Sequence, residues 1–418
     1  MNTKTLSLEK LQILQFIDDQ QENLIDFLNQ LVGIPSDNPP GDCQRIAEHL
    51  YRRLEEFKFE NVFIHQVEEE KVKAVGMTKT ANVIGFQSFG NDGLEITLNS
   101  HGDVVPPGKG WMQDPYGGQI VDGKMYGRGA AVSKSDIASF TFATLALREV
   151  KDHLSGKVSL AFTFDEESGG EIGPKWLLEK KLIHPDMAIC PGFTYSLVNA
   201  HNGCLHLEVK LKGKSAHAAE PQFGHDALEA MNGVLSALYE YRKGFSKIKS
   251  AVPGIESPSL VVGLISGGIN TNVVPDTAAI RLDRRLIPEE DPAAAESEIR
   301  EIVTETLKNF PGVDPEVTQV LLAKSFGPIS VDSPLIQAVK TNWRELMGGE
   351  ELPVSGSPLY TDARHFYEAG IPVVLFGAGP RTLAEANGHR ADENVRIEDL
   401  IKATKIVALT LYDLLQKK

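Results

Sequence analysis

The sequence predicts an α/β protein: a mostly parallel sheet with covering helices, interrupted by an inserted α+β domain of ferredoxin-like order. Three observations predict it. Short apolar runs alternate with stretches of helical spacing from about residue 42 to residue 192. Between 204 and 324 the order becomes strand, helix, strand, strand, helix, strand. After Phe326 the first alternation resumes, which divides the chain into a discontinuous domain, 1–203 with 325–418, and an inserted one, 204–324.

Taken in order, Leu8 to Val32 carries apolar residues at helical spacing (Leu11, Leu14, Ile17, Leu24, Leu28, Leu31). That helix breaks at Gly33-Ile34-Pro35-Ser36 and Asn38-Pro39-Pro40-Gly41. Residues 42–57 return to helical spacing. The runs NVFIHQV, ANVIGFQ, LEITLNSHGD, KVSLAFTFDEE and MAICPG follow as strands, with helical stretches at 134–150 and 173–181. Parallel sheets gather functional groups at the carboxyl ends of their strands, and HGD and DEE both stand there. In the inserted domain LHLEVKLKG, SLVVGLISG, DTAAIRLDRRL and PEVTQVLLA read as strands, and 225–243 and 291–309 as helices. Helix 332–347, strand IPVVLFG and helix 398–416 complete the first domain.

With 418 residues, 42% hydrophobic and 24% charged, the chain is long enough for two sizeable cores. Its formal charge of −15 works against nonspecific binding to nucleic acid or an anionic membrane. Cys43, Cys190 and Cys204 show neither CxxC spacing nor an even count, so they predict buried free thiols. The N-terminal segment has no signal-peptide pattern, and no stretch approaches the roughly 20 apolar residues of a membrane span. A cytoplasmic location is the default expectation.

His101 and Asp103 close one strand, Asp165-Glu166-Glu167 closes another, and His389 lies in a Gly-containing loop near the C-terminus. Such a set reads as a hydrolytic metal site built from distant strand ends. In isolation each piece has a blander reading: a turn histidine, a pair of solvated carboxylates, a loop histidine. The chain also carries LNSHGDVVP, YGRGAAVSK, TFDEESGG, GKSAHAAEPQFGHDAL, the pair NTNVVPD and LDRRLIP, SPLYTDARHF, and NGHRADENVRIEDL. On these seven motifs it resembles the M20 metallopeptidases and their relatives: acetylornithine deacetylases, succinyl-diaminopimelate desuccinylases, aminoacylases and glutamate carboxypeptidases.

The resemblance covers essentially the whole chain and implies a zinc-peptidase-like catalytic domain with an inserted lid and dimerisation domain. It implies His101, Glu167 and His389 as metal ligands, Asp103 as the group that holds the His101 ring, and Glu166 as general base. His217 would reach a partner's active site across a dimer interface and help polarise the scissile carbonyl. Asn272 and Arg285 match substrate contacts, Arg285 for a carboxylate, with pairing to Asp283 as its alternative. The stretch from Gly377 to Pro380 offers backbone N–H groups to a substrate carboxylate, or is a plain turn.

Two positions depart from the family. Val132 stands where GRGAxDxK supplies a bridging aspartate, and Gly192 stands where GEPT supplies an acidic ligand. Asp136, one helical turn beyond Val132, is a replacement ligand or else a favourable charge in a first helical turn. Cys190 lies two residues off register and reads as a buried thiol. The expected cofactor is zinc, manganese or cobalt, one or two cations per chain. The expected activity is metal-dependent hydrolysis of an amide C–N bond in a small carboxylate-bearing substrate by a homodimer. Open beside it stand a mononuclear aminohydrolase acting on a nonpeptide C–N bond, a two-metal enzyme using Asp136, and a noncatalytic binding protein that kept the fold.

Overall fold

A computed structural model describes residues 6–90 and 92–417. The chain begins with α1 (Leu8–Asp19) and α2 (Gln21–Val32), two helices where the spacing suggests one. Ser7 starts α1 by accepting a hydrogen bond from the Lys10 amide. Then come α3 (Gln44–Glu56), β1 (Glu60–Gln66), α4 (Glu69–Ala74), β2 (Ala81–Ser88) and β3 (Glu95–His101). A small hairpin, β4 (Ile120–Val121) and β5 (Lys124–Tyr126), precedes α5 (Lys134–Ala146). β6 (Lys157–Thr163), α6 (Pro174–Glu179), β7 (Met187–Cys190) and β8 (Leu197–His201) follow.

The next six elements are β9 (Gly203–Lys212), α7 (Ala227–Lys243), β10 (Ser259–Gly267), β11 (Thr277–Leu286), α8 (Pro292–Leu307) and β12 (Asp314–Ala323). The chain finishes with α9 (Pro334–Leu346), β13 (Val354–Ser357), α10 (Ala363–Glu368), β14 (Val373–Leu375), β15 (Asn394–Arg396) and α11 (Ile397–Leu415). Asp226, Asp291 and Ser333 cap α7, α8 and α9, and Pro292 and Pro334 occupy first helical positions that need no amide donor.

Two compact units result. The first takes the chain up to Asn199, Ile329–Ser355 and from Thr361 onward; the second takes Ala200–Pro328 and Gly356–Tyr360. These limits lie four residues from those the sequence suggests, with one addition, the return of 356–360 to the second unit. The large sheet runs β1-β2-β6-β3-β7-β14-β8-β13, and its centre, β6-β3-β7-β14, is parallel. Every residue of α5 is buried, because the helix packs on both β3 and α11. That explains why it shows no polar face. The helix expected to reach residue 150 stops at Ala146 and continues as a 3-10 segment to His153.

The second unit carries an antiparallel sheet in the order β10-β11-β9-β12, the ferredoxin-like arrangement. Leu205, Leu207, Val209 and Leu211 alternate along β9 toward α7 and α8, and Cys204, His206, Glu208 and Lys210 take the other face. β10 is an edge of this sheet.

Candidate metal centre and active site

β3 ends at His101, which is 6% exposed. Its Nδ1 lies 3.0 Å from the Asp103 carbonyl oxygen and 3.3 Å from Asp103 Oδ1, so Nδ1–H donates and Nε2 is left for a ligand. Asp103 does more than hold the ring. Its Oδ2 accepts from Asn38 Nδ2 at 2.9 Å and from the Glu167 amide at 3.1 Å, and its Oδ1 accepts from the Glu166 amide at 3.3 Å. One buried carboxylate therefore fixes both the imidazole and the turn that carries the two glutamates.

That turn is a single 3-10 turn, Glu166–Ser168, closed by Gly169 at φ 106°. An extended strand end would send adjacent side chains to opposite sides; the turn lets both converge. One donor atom each of His101, Glu166 and Glu167 lie within 4.8 Å of one another. His389 joins them from the loop before β15, with Nε2 3.4 Å from Glu167 Oε1.

Electrostatics follow from crowding. Burial is the largest influence on Glu166, and with the charges of Glu167 and Asp103 it lifts the pKa to about 8 against the opposing His101. Burial works against charge on His101, yet the bond to Asp103 and the carboxylates of Glu166 and Glu167 hold its pKa well above the usual histidine range. The His389 pKa is raised by its bond to Glu167. Such concentrated negative charge, with two imidazoles among it, suits a divalent cation: zinc, manganese and cobalt all accept this donor set.

The remaining positions are placed as follows. Val132 is half-buried and adjoins Ser133, whose Oγ donates to the His101 carbonyl at 3.0 Å. Asp136 is buried in the first turn of α5, and its Oδ1 accepts from the Ala378 amide at 2.7 Å. It lies outside the converging group, and burial pushes its pKa up to about 8. Gly377 has no side chain because a Cβ there would fall 1.8 Å from Asp136 Oδ1. In the stretch from Gly377 to Pro380, the Ala378 amide donates to Asp136 and the Gly379 amide to the Gly192 carbonyl at 2.9 Å. Cys190 is a buried thiol, its Sγ 3.8 Å from Asn99 Oδ1.

In the second unit His217 and Asn272 are exposed, and a bridge joins His217 to Val273. The Ala219 amide donates to His217 Nδ1 at 3.1 Å, which leaves Nε2 to carry the proton. Arg285 sits on Asp283 through two bonds, Nε to Oδ1 at 3.0 Å and an Nη to Oδ2 at 3.2 Å, and 5.5 Å from the centre of the Tyr360 ring. His206 Nε2 meets the same carboxylate at 3.1 Å.

Sequence reasoning overlooked four residues. Glu393 is fully buried, and its Oε1 accepts from the amides of Gly129, Ala131 and Val132 at 3.1, 3.0 and 3.2 Å while its other oxygen pairs with Arg128. It ties the Val132 loop to the His389 loop. Asp362 is buried beside Glu166, with neither oxygen hydrogen-bonded, and burial and Glu166 raise its pKa to about 8. Arg364 donates to the Gly169 carbonyl that ends the Glu166 turn. YGRGAAVSK, SPLYTDARHF and NGHRADENVRIEDL hold all four, so the signal was the motifs themselves rather than their histidines alone.

A parallel α/β unit gathers the buried His101 and Asp103 with the half-buried Glu166 and Glu167 at its strand ends, the exposed His389 beside them, and is joined to a ferredoxin-like unit; the family match makes the chain a metallohydrolase acting on C–N bonds. The family model described as Peptidase family M20/M25/M40 matches residues 97–413, and the chain belongs to that family. It is 27% identical to a succinyl-diaminopimelate desuccinylase of Wolinella succinogenes over 90% of this chain and 95% of that one. It is 25% identical to an N-formyl-4-amino-5-aminomethyl-2-methylpyrimidine deformylase of Halalkalibacterium halodurans, covering 96% of each. Among solved structures, an M20 family metallo-carboxypeptidase from Sulfolobus solfataricus shares the fold at a TM-score of 0.74 and 21% identity, over 94% of this chain and 99% of that one. A Bacillus subtilis protein described as a dinuclear metal binding peptidase of the family matches at 0.66 and 18% identity, over 95% and 99%.

Proposed function

We propose that this chain cleaves the amide of a small N-acyl or peptide-like substrate that bears a carboxylate, with Glu166 as general base. The observation that carries the reading is Asp103, which holds His101 and the Glu166–Glu167 turn in one hydrogen-bonded unit. His101, Glu167 and His389 are the proposed ligands of a zinc, manganese or cobalt ion, which when bound would supply Lewis acidity and lower the pKa of water. Glu166 takes the proton of the attacking water. As the C–N bond breaks, the same carboxyl returns that proton to the departing nitrogen, so the base of one step is the acid of the next.

His217, with its proton on Nε2, is the proposed donor to the developing oxyanion in a partner chain's site. Asn272 and Arg285 are the proposed substrate contacts, Arg285 binding a carboxylate while Asp283 and His206 hold its position. Homodimerisation through the second unit is supported by the exposed apolar residues of edge strand β10, Val261, Leu264 and Ile265. No helix among the described residues is long and apolar enough to cross a membrane, and three buried cysteines outside any disulfide support a cytoplasmic location.

The test is a panel of N-succinyl, N-formyl and N-acetyl amino acids and dipeptides, incubated with protein and added zinc or manganese, with release of primary amine followed by chromatography. Cleavage of at least one member is expected, with Glu166→Gln inactive and still binding metal. An active Glu166→Gln would remove the base assignment. Release of ammonia without an acyl product from an aromatic amine, with the panel untouched, would instead support deamination, for which the methyl groups of Val132 give an apolar neighbour. Binding without turnover of any kind would leave the noncatalytic reading.

A further inference from the structure

We infer that this chain holds one divalent cation per active site, on His101, Glu167 and His389, and that the neighbouring position for a second cation is closed. The inference rests on the metallohydrolase reading above and specifies its metal content.

Two catalytic cations about 3.5–4 Å apart need an oxygen shared between them and further donors for each. The loop beside His101 supplies no such oxygen. Ser133 spends its hydroxyl on the His101 carbonyl, and its carbonyl accepts from Ser100 Oγ at 3.0 Å. The residue before it, Val132, has only methyl groups.

The end of β7 is sealed more firmly. A Cβ on Gly192 would lie 2.4 Å from the Leu375 carbonyl carbon and 2.5 Å from the Phe376 nitrogen, both backbone atoms of the β14 end. No side chain of any kind fits there without moving that strand, so the position cannot hold a carboxylate in this fold. Cys190, two residues earlier, is buried, and its thiol is turned to Asn99. Asp136, the nearest replacement along the chain, has its Oδ1 on the Ala378 amide and stands outside the converging donors.

One carboxylate near Glu166 remains, Asp362, with both oxygens free of hydrogen bonds. A second cation there would draw on Asp362 and a shared Glu166, and among the described residues no trio of donors within 4.8 Å of one another includes Asp362. Among the described residues of the first unit, a single trio of donors comes within 4.8 Å, and it is His101, Glu166 and Glu167. The other such trio, Cys204, His206 and Asp283 in the second unit, has the Arg285 guanidinium seated on its carboxylate, which repels a cation.

The experiment is a titration of chelator-treated, desalted protein with manganese, read by calorimetric stoichiometry and by electron paramagnetic resonance. One tight equivalent per chain is expected, with the second equivalent giving the signal of free aqueous manganese. His389→Ala should weaken the tight site by at least about tenfold, and Asp362→Asn, checked for folding by circular dichroism, should leave the stoichiometry at one. Two tight equivalents, or an exchange-coupled signal at two equivalents, overturn the inference and leave the hydrolase reading intact. No tight equivalent overturns both. Loss of the tight site in folded Asp362→Asn overturns the ligand set.

Discussion

At the scale of single residues, Asp136 shows how a carboxylate can lie close to the proposed metal centre and serve another purpose. Its side chain is buried and bonded to the Ala378 amide, and burial holds its pKa near 8, against about 4 in an unfolded chain. The folded state therefore binds a proton that the unfolded state has released between about pH 4 and pH 8. Stability from this group is complete below the lower value and falls as pH rises through the upper one, by at most on the order of 1 kcal/mol per pH unit. Asp136→Asn keeps an acceptor for Ala378 and cannot ionise. Its melting temperature should fall less between pH 6 and pH 9 than that of the parent, with metal stoichiometry unchanged. A parallel decline in both proteins, or a lost cation, would contradict this account.

His101, Glu166, Glu167 and His389 were legible in the sequence because imidazoles and paired carboxylates at strand ends are uncommon and the surrounding motifs fix their register. The part played by Asp136 was not, since its partner is a backbone amide 242 positions away and every residue but proline has one. Gly192 was legible as a departure, but the reason for it lies in the backbone at Leu375 and Phe376.

At the scale of elements, the loop before α5 and the loop before β15 behave as one piece because Glu393 joins them. Removing its carboxylate would strand the buried Arg128 guanidinium and free three amides at once. A buried pair broken from one side costs about 3–5 kcal/mol. Glu393→Ala should accordingly lose several kcal/mol in chemical denaturation and bind its cation more weakly, since His389 rides on the loosened loop; near-parent values for both would show that the loops hold each other by other means. Most strands and helices were readable from spacing. The failures were local: Gln20 separates α1 from α2 without a proline or glycine to announce it, and β8, β13 and α10 are only four to six residues long.

At the scale of the whole molecule, the order of elements along the chain was the strongest clue, since strand-helix alternation interrupted by β-α-β-β-α-β has few compact solutions. What the order could not supply was which strands form the exposed edges of the second sheet. β10 and β12 are both exposed edges, and β10 carries the more apolar one, with Leu264 63% exposed. Leu264→Lys, a charge on an apolar edge, should shift the mass measured by light scattering from two chains to one while leaving circular dichroism unchanged. A dimer that survives the substitution would move the interface away from β10.

The discontinuity of the first unit carries a consequence for the order of events during synthesis. The second unit is nearly contiguous, from Ala200 to Pro328, and is complete in its strands and helices when β12 has left the ribosome. The first unit must wait: β14 belongs at the centre of its sheet, α11 packs on α5, and His389 lies between them in sequence. A nascent chain thus displays His101, Glu166 and Glu167 long before their last imidazole and their covering helix exist. With the proposed ligand set, tight metal capture waits until translation is almost over, and loading becomes a checkpoint on a finished polypeptide rather than a guide to an unfinished one.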